Sequence, residues 1–188
     1  MLAQKYNHSL NPKDIMDAIN FIDSKNLSDD VGQISFSAND VHNENKNINI
    51  DILRELEFSA KMSELMLKTG QIPALTGIND NNLHRAIAAS GAGVTKVDTF
   101  WWGFHFYMNN NLVNAIVNGL NAAAGVSGII AIISALCPPP GPVFAIICGI
   151  AAGLLTIGAT VLQSINLEGK GIVVRAIWPA TLTGMWSQ

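Results

Sequence analysis

Residues 112–136 read LVNAIVNGLNAAAGVSGIIAIISAL, residues 143–165 read VFAIICGIAAGLLTIGATVLQSI, and CPPPGP (137–142) joins them. No lysine or arginine lies between Lys96 and Lys170, and the only acids in that window are Asp98 and Glu168. Two apolar runs with a proline turn between them predict a helical hairpin. As straight helices the arms would be about 37 Å and 34 Å long, each enough to cross a hydrocarbon layer of about 30 Å. A helix in a water-soluble core rarely needs to be apolar all round over such a length.

Within the arms, small residues recur every four positions. Arm one carries Ala115, Gly119, Ala123, Ser127, Ala131 and Ala135, and arm two carries Gly141, Ala145, Gly149 and Gly153. Such stripes let two backbones approach closely, so they are expected to be the helix–helix packing seam. A four-residue repeat drifts by about 40° per step against a 3.6-residue turn, so only three or four consecutive positions can share one contact. Each interior glycine weakens a helix by roughly 0.8–1 kcal/mol relative to alanine, which packing must offset. Two readings fit: a tight pair buried by other elements in water, or a pair that enters lipid. The uncharged arms and tip (Pro138, Pro139, Pro140, Gly141, Pro142) favour the second, since carrying a lysine to mid-bilayer costs about 2.5–3.5 kcal/mol. Asn114, Asn118 and Asn121 then sit at the interface or line a polar path, the interface being favoured.

The flanks of the hairpin read as strands. In Val94–Met108, Trp102, Phe104, Phe106 and Met108 alternate with Trp101, Gly103, His105 and Tyr107, the period of a strand. Asn109 to Asn111 end it and can cap arm one. Ile172–Trp178 is a β-rich run stopped by Pro179 and is expected to pair with the aromatic strand. Phe100, Trp101, Trp102, Phe104 and Tyr107, with Trp178 and Trp186, fit membrane-interface anchors, because Trp and Tyr favour the headgroup zone. They fit a small hydrophobic core under the hairpin equally well.

The first half differs in kind. Residues 1–96 hold nine of the eleven Lys+Arg and twelve of the fourteen Asp+Glu. Asn11 and Pro12 start an amphipathic helix to Lys25, with Ile15, Ala18, Ile19 and Ile22 on one face. Residues 26–49 are poor in apolar side chains and read as loop or disorder. Asp51–Thr69 is a second amphipathic helix ended by Gly70, and Asn82–Ser90 a short third. The expected fold is therefore mainly α with a small β element (α+β). Residues 1–93 form a polar helical segment whose helices pack around the hairpin, and residues 94–188 form a strand–hairpin–strand domain.

A net charge of −3 argues against nucleic-acid binding, which normally shows a basic face. Any membrane affinity must come from apolar area. Cys137 and Cys148 flank the turn, and two buried, inert thiols are favoured over a disulfide, because Cys148 lies about 9 Å down arm two. The N-terminus lacks the apolar core of a standard secretory signal, which leaves another export route, a removed leader or an intracellular protein. His8, His42, His84 and His105 have no ligand-spaced partners, so no metal or other cofactor is expected. No Ser/His/Asp or Cys/His set is assembled, so no enzyme is expected. His105 reads as a structural histidine or, less favoured, a pH switch.

Ala92-Gly93-Val94-Thr95-Lys96-Val97, Trp101-Trp102-Gly103 followed by Tyr107, the Gly/Ala-rich hairpin and the Gly169-Lys170-Gly171-Ile172-Val173-Val174 strand together resemble small secreted, bacteriocin-like proteins of Gram-positive bacteria. The resemblance covers residues 92–188. It implies a secreted, membrane-permeabilising antibacterial toxin acting on a target-cell bilayer. The expected partners are lipid, further copies of the chain after insertion, and an immunity protein or receptor. The apolar hairpin also resembles that of pore-forming colicins, although the strand after it departs from that pattern. The alternative is a non-enzymatic, membrane-anchored immunity or interaction protein with a permanent transmembrane hairpin.

Overall fold

The structure, a computed structural model, describes residues 11–25, 27, 33–72, 93–136, 144–179 and 181–188. The expected helix over 82–90, the hairpin tip and Cys137 lie outside the described residues. The architecture is α+β, mainly helical with one four-stranded antiparallel sheet. Helices α1 (Pro12–Ser24), α2 (Ala38–Glu44) and α3 (Ile50–Lys68) precede strands β1 (Lys96–Phe100) and β2 (Gly103–Met108). Four helices follow, α4 (Asn110–Asn121), α5 (Val126–Leu136), α6 (Phe144–Ile157) and α7 (Ala159–Ile165), then β3 (Ile172–Ile177) and β4 (Thr181–Ser187).

Local chemistry explains most boundaries. The Asn11 side chain accepts from the Lys13 amide at 3.0 Å, with Pro12 in the first turn, so α1 starts as read. Asn109 caps α4 in the same way, accepting from the Leu112 amide at 2.9 Å. Helix α2 is a correction to the loop read over 26–49. Ser37 caps it, and Ile34, Ala38 and Val41 bury on one side, enough apolar periodicity to hold two turns against α3. The single strand read over 94–108 is also corrected. It is a hairpin, with Trp101 and Trp102 as the two residues between Phe100 and its partner Gly103.

The sheet order is β1-β2-β3-β4, so the strands form a meander with α4–α7 inserted between the central pair. Phe106 pairs with Val97 on one side and Val174 on the other. Alternation then sends Phe104, Phe106, Met108, Ile172, Val174 and Ala176 to one face, where α4–α7 cover them and Trp178 joins the same core. That core holds Leu112, Val113, Ile116 and Val117 of α4, Ile129 and Ile133 of α5, Ile146, Ile150 and Leu154 of α6, and Leu162 of α7.

A second core sits at the β1–β2 turn. Ile15, Ala18, Ile19 and Ile22 of α1 meet Leu53 and Leu56 of α3, Val41 of α2, and Trp101, Trp102 and Ile177. The N-terminal helices thus cap the end of the sheet more than they wrap the hairpin, contrary to the expected arrangement. Among the described residues of this half, only the far end of α3, through Met62, Met66 and Leu67, and the following Ile72 reach the core under α4–α7. The reason is in the sequence of α3: its first turns carry branched residues toward α1, its last turns methionines toward the other core. Ser59 ties the two, its Oγ donating to the buried Trp178 carbonyl at 3.1 Å.

Candidate functional site

The uncharged helical layer is the part of the molecule whose chemistry asks for explanation, and its geometry departs from two straight arms. Arm one is broken near its middle and arm two about two-thirds of the way along. Helix α4 ends in a Schellman motif: the Ala124 amide donates to Gly119 O at 2.9 Å and the Ala123 amide to Leu120 O at 3.0 Å. The left-handed position is filled by Ala123, at φ 58°. The chain folds back there, and α5 packs on α4. In arm two Gly158, at φ 82°, separates α6 from α7, which meet at a bend of 95°. A Cβ at Gly125 or Gly158 would meet nothing within 4 Å, so both breaks lie in open space. Among the described residues no single helix is long and apolar enough to cross a membrane, whereas the bent pair Ile146–Ile157 and Ala159–Ile165 passes together by length and composition.

The small-residue stripes do not form one seam. Ala123, Ser127, Ala131 and Ala135 are exposed, and Ala115 is half-buried. The break at 122–125 resets the helical phase, so the α5 members turn to solvent while Ile129 and Ile133 take the core side. Gly119 does serve as a close-approach position: a Cβ there would lie 2.7 Å from Ile132 Cδ1 of α5. Gly153 serves another partner than arm one, since a Cβ there would lie 2.2 Å from Leu182 Cδ1 on β4. Gly149 and Gly153 instead line an open groove of about 520 Å³ with Ala152, Thr156, Pro179 and Leu182. Gly141 and the Ala145 side chain lie outside the described residues, as do Pro138, Pro139, Pro140 and Pro142. Asn114, Asn118 and Asn121 are exposed along α4. Cys148 is a free, half-buried thiol.

Of the two roles open to the aromatic cluster, interface anchor and core, most of its members take the second in this structure. Phe104 and Trp178 are fully buried under α4–α7, and Trp101 and Trp102 are buried in the second core, with Phe100 packed against it. Their polar edges are satisfied inside the protein: Trp178 Nε1 donates to Phe100 O at 2.9 Å, and Trp101 Nε1 to Asp23 Oδ1 at 2.9 Å. An aromatic belt would keep those N–H groups for headgroups and water. Trp186, 39% exposed, is the one member at the surface.

The outer face of the sheet carries a second cluster that sequence reading left as separate residues. The register aligns Asp98, His105, Arg175 and Gly184 across the four strands, with Lys96, Tyr107, Val173 and Trp186 in the adjacent row. Lys96 pairs with Asp98 and lies over the Tyr107 ring at 4.5 Å. Arg175 Nε donates to Thr183 Oγ1 at 3.2 Å, and the guanidinium lies over Trp186 at 5.8 Å. His105 is ringed by Phe100, Trp102, Trp186 and Tyr107 at centroid distances of 4.8, 5.5, 5.4 and 6.2 Å. Burial, with the Arg175 and Lys96 charges adding, pushes its pKa down to about 4. Burial and the neighbouring Asp98 push the Tyr107 phenol up to about 12. Nothing in one strand's sequence shows this juxtaposition; only the pairing register does.

Among the described residues no group of three or more His, Cys, Asp or Glu side chains could hold a metal ion. Comparison with known proteins found no matching family model, no matching curated protein and no matching solved structure.

Proposed function

We propose that this chain is a membrane-active, bacteriocin-like protein that permeabilises a target-cell bilayer, with α4–α7 as the inserting part. The observation that carries the reading is the absence of any charged side chain between Asp98 and Glu168, across all four helices of the layer. A layer that only had to cover a sheet would keep ionic residues on its outer face. Here that face carries asparagine, serine, alanine and exposed Val126, Leu136 and Val161.

The breaks supply a route. Straightening the chain at residues 122–125 and at Gly158 would restore two rods of spanning length. Opening uncovers Phe104, Phe106 and Val174 on the sheet, at roughly 25 cal/mol per Å² of apolar surface. The sheet must therefore settle on the lipid together with the helices. Lys96, Lys170 and Arg175 then stay at the headgroup side, with the uncharged tip leading. The exposed small positions Ser127, Ala131 and Ala135 are free to pack against further copies once in lipid. On this reading the protein is secreted, acts without enzymatic chemistry, and meets an immunity protein or receptor as its protein partner. Dye-loaded vesicles test it: the purified chain releases dye at some pH between about 5 and 8. Vesicles that stay intact across that range refute the permeabilising role.

A further inference from the structure

We propose that His105 is an acid-sensitive wedge holding the N-terminal helical unit on the sheet, and that protonation of its ring loosens the seat made by Phe100 and Trp102. The inference rests on the sheet geometry and stands whether or not the chain acts on membranes.

Three features of the site converge. The Nε2 atom of His105 is buried and has no hydrogen-bond partner among the described residues, so the imidazolium, which carries a proton on both nitrogens, would hold one N–H with no acceptor. The charged and titratable groups facing the ring are Lys96 and Asp98 on β1, Tyr107 on β2 and Arg175 on β3; β4 contributes Trp186 and Thr183, neither of which titrates in this range. Asp98, the single carboxylate among them, is already engaged by Lys96 and by the Tyr107 hydroxyl. Aromatic rings can stabilise a cation, but the Tyr107 and Trp186 rings already carry Lys96 and Arg175.

The ring also sits where release would follow. Phe100 stacks on Trp102 at 4.7 Å, and both belong to the core that seats α1–α3. A charged His105, in contact with both rings, would recruit water to this stack.

The direction follows from linkage. With its folded pKa pushed from 6.5 to about 4, His105 contributes stability that is complete above about pH 6.5 and lost as the pH falls toward 4. Across that window the folding equilibrium weakens by up to about tenfold per pH unit, or roughly twentyfold between pH 7 and pH 5. Asp23, bonded to Trp101 and shifted up by burial, acts oppositely, adding stability as pH falls. Glu57, shifted down by its bonds to Lys61 and the Ala38 amide, begins to lose its contribution only as the pH falls below its ordinary value of 4.5, at the acid end of the His105 window and below the pH 5 comparison.

The test compares wild-type protein with His105→Phe, which keeps a ring and cannot titrate, by urea unfolding at pH 7 and pH 5 and by tryptophan emission from pH 7 down to pH 4, without lipid. The expected result is a roughly twentyfold loss in the wild-type folding constant between pH 7 and pH 5, with red-shifted emission appearing as the pH falls to about 4 and the ring of the folded protein itself protonates, and a much smaller change in the variant. Equal pH dependence in both overturns the proposal. Should the variant not fold, the imidazole resonances of wild-type His105 decide: a midpoint near 4 accompanied by loss of structure supports the wedge, and a midpoint near 6.5 overturns it.

Discussion

Gly153 offers the sharpest test of how arm two is held. A Cβ at this position would lie 2.2 Å from Leu182 Cδ1 and 2.7 Å from Leu182 Cγ. Ordinary carbon contacts are about 3.5–4.0 Å, so Gly153→Ala forces the whole Leu182 side chain or helix α6 to move. Overpacking of this kind costs about 1–3 kcal/mol, against a helix-propensity gain of roughly 1 kcal/mol. The expected net is a loss of up to about 2 kcal/mol, or roughly 4–8 °C in Tm for a chain of this size. Leu182→Ala alone removes a partly buried side chain and costs about 1–2 kcal/mol, below the range for full burial. In the double variant the new methyl group has room and only the propensity gain remains. The pair is therefore expected to be more stable than the sum of the single effects by about 1–3 kcal/mol. Urea unfolding with an unchanged m-value reads this directly. Additivity within about 0.5 kcal/mol would refute the α6–β4 contact as the place where the glycine is used.

Two further substitutions separate the observed packing from a continuous small-residue seam. Ala123→Gly relieves a left-handed alanine and is expected to raise stability by about 1 kcal/mol, measured by thermal unfolding; a loss of stability would mean that the α4 end is not built as described. Ala131→Leu and Ala135→Leu, at exposed positions, are expected to change stability by less than about 0.5 kcal/mol. A loss above 2 kcal/mol from either would return those residues to a buried helix–helix contact.

What the sequence disclosed was chiefly local. The caps at Asn11 and Asn109 are single side chains meeting nearby amides, and the α1 face and the β2 alternation are short periodic patterns, all visible without the rest of the chain. The pairing of Ile172–Ile177 with the aromatic strand was legible because both runs border the same hairpin. Strand β4 was not, since Gly184 and two threonines dilute its apolar signal and its pairing is bulged at Arg175/Ala176. The break in arm one was hidden because alanine, a good helix former, occupies the left-handed position a glycine would have announced. The small-residue stripes were visible, but spacing alone does not say whether a small face meets a helix, as at Gly119, or a strand, as at Gly153. For the aromatic cluster, composition left core and interface tied. The satisfied N–H groups of Trp101 and Trp178 break the tie toward core.

The central claim is that α4–α7 can exchange the sheet for lipid by straightening at its breaks. Gly158→Ala bears on it most directly, because a Cβ at φ 82° strains the bent state while alanine favours the continuous helix. Dye release from lipid vesicles, compared at equal protein concentration, is predicted to be faster for Gly158→Ala than for the wild type. Intact vesicles with both proteins, or slower release by the variant, would contradict the account.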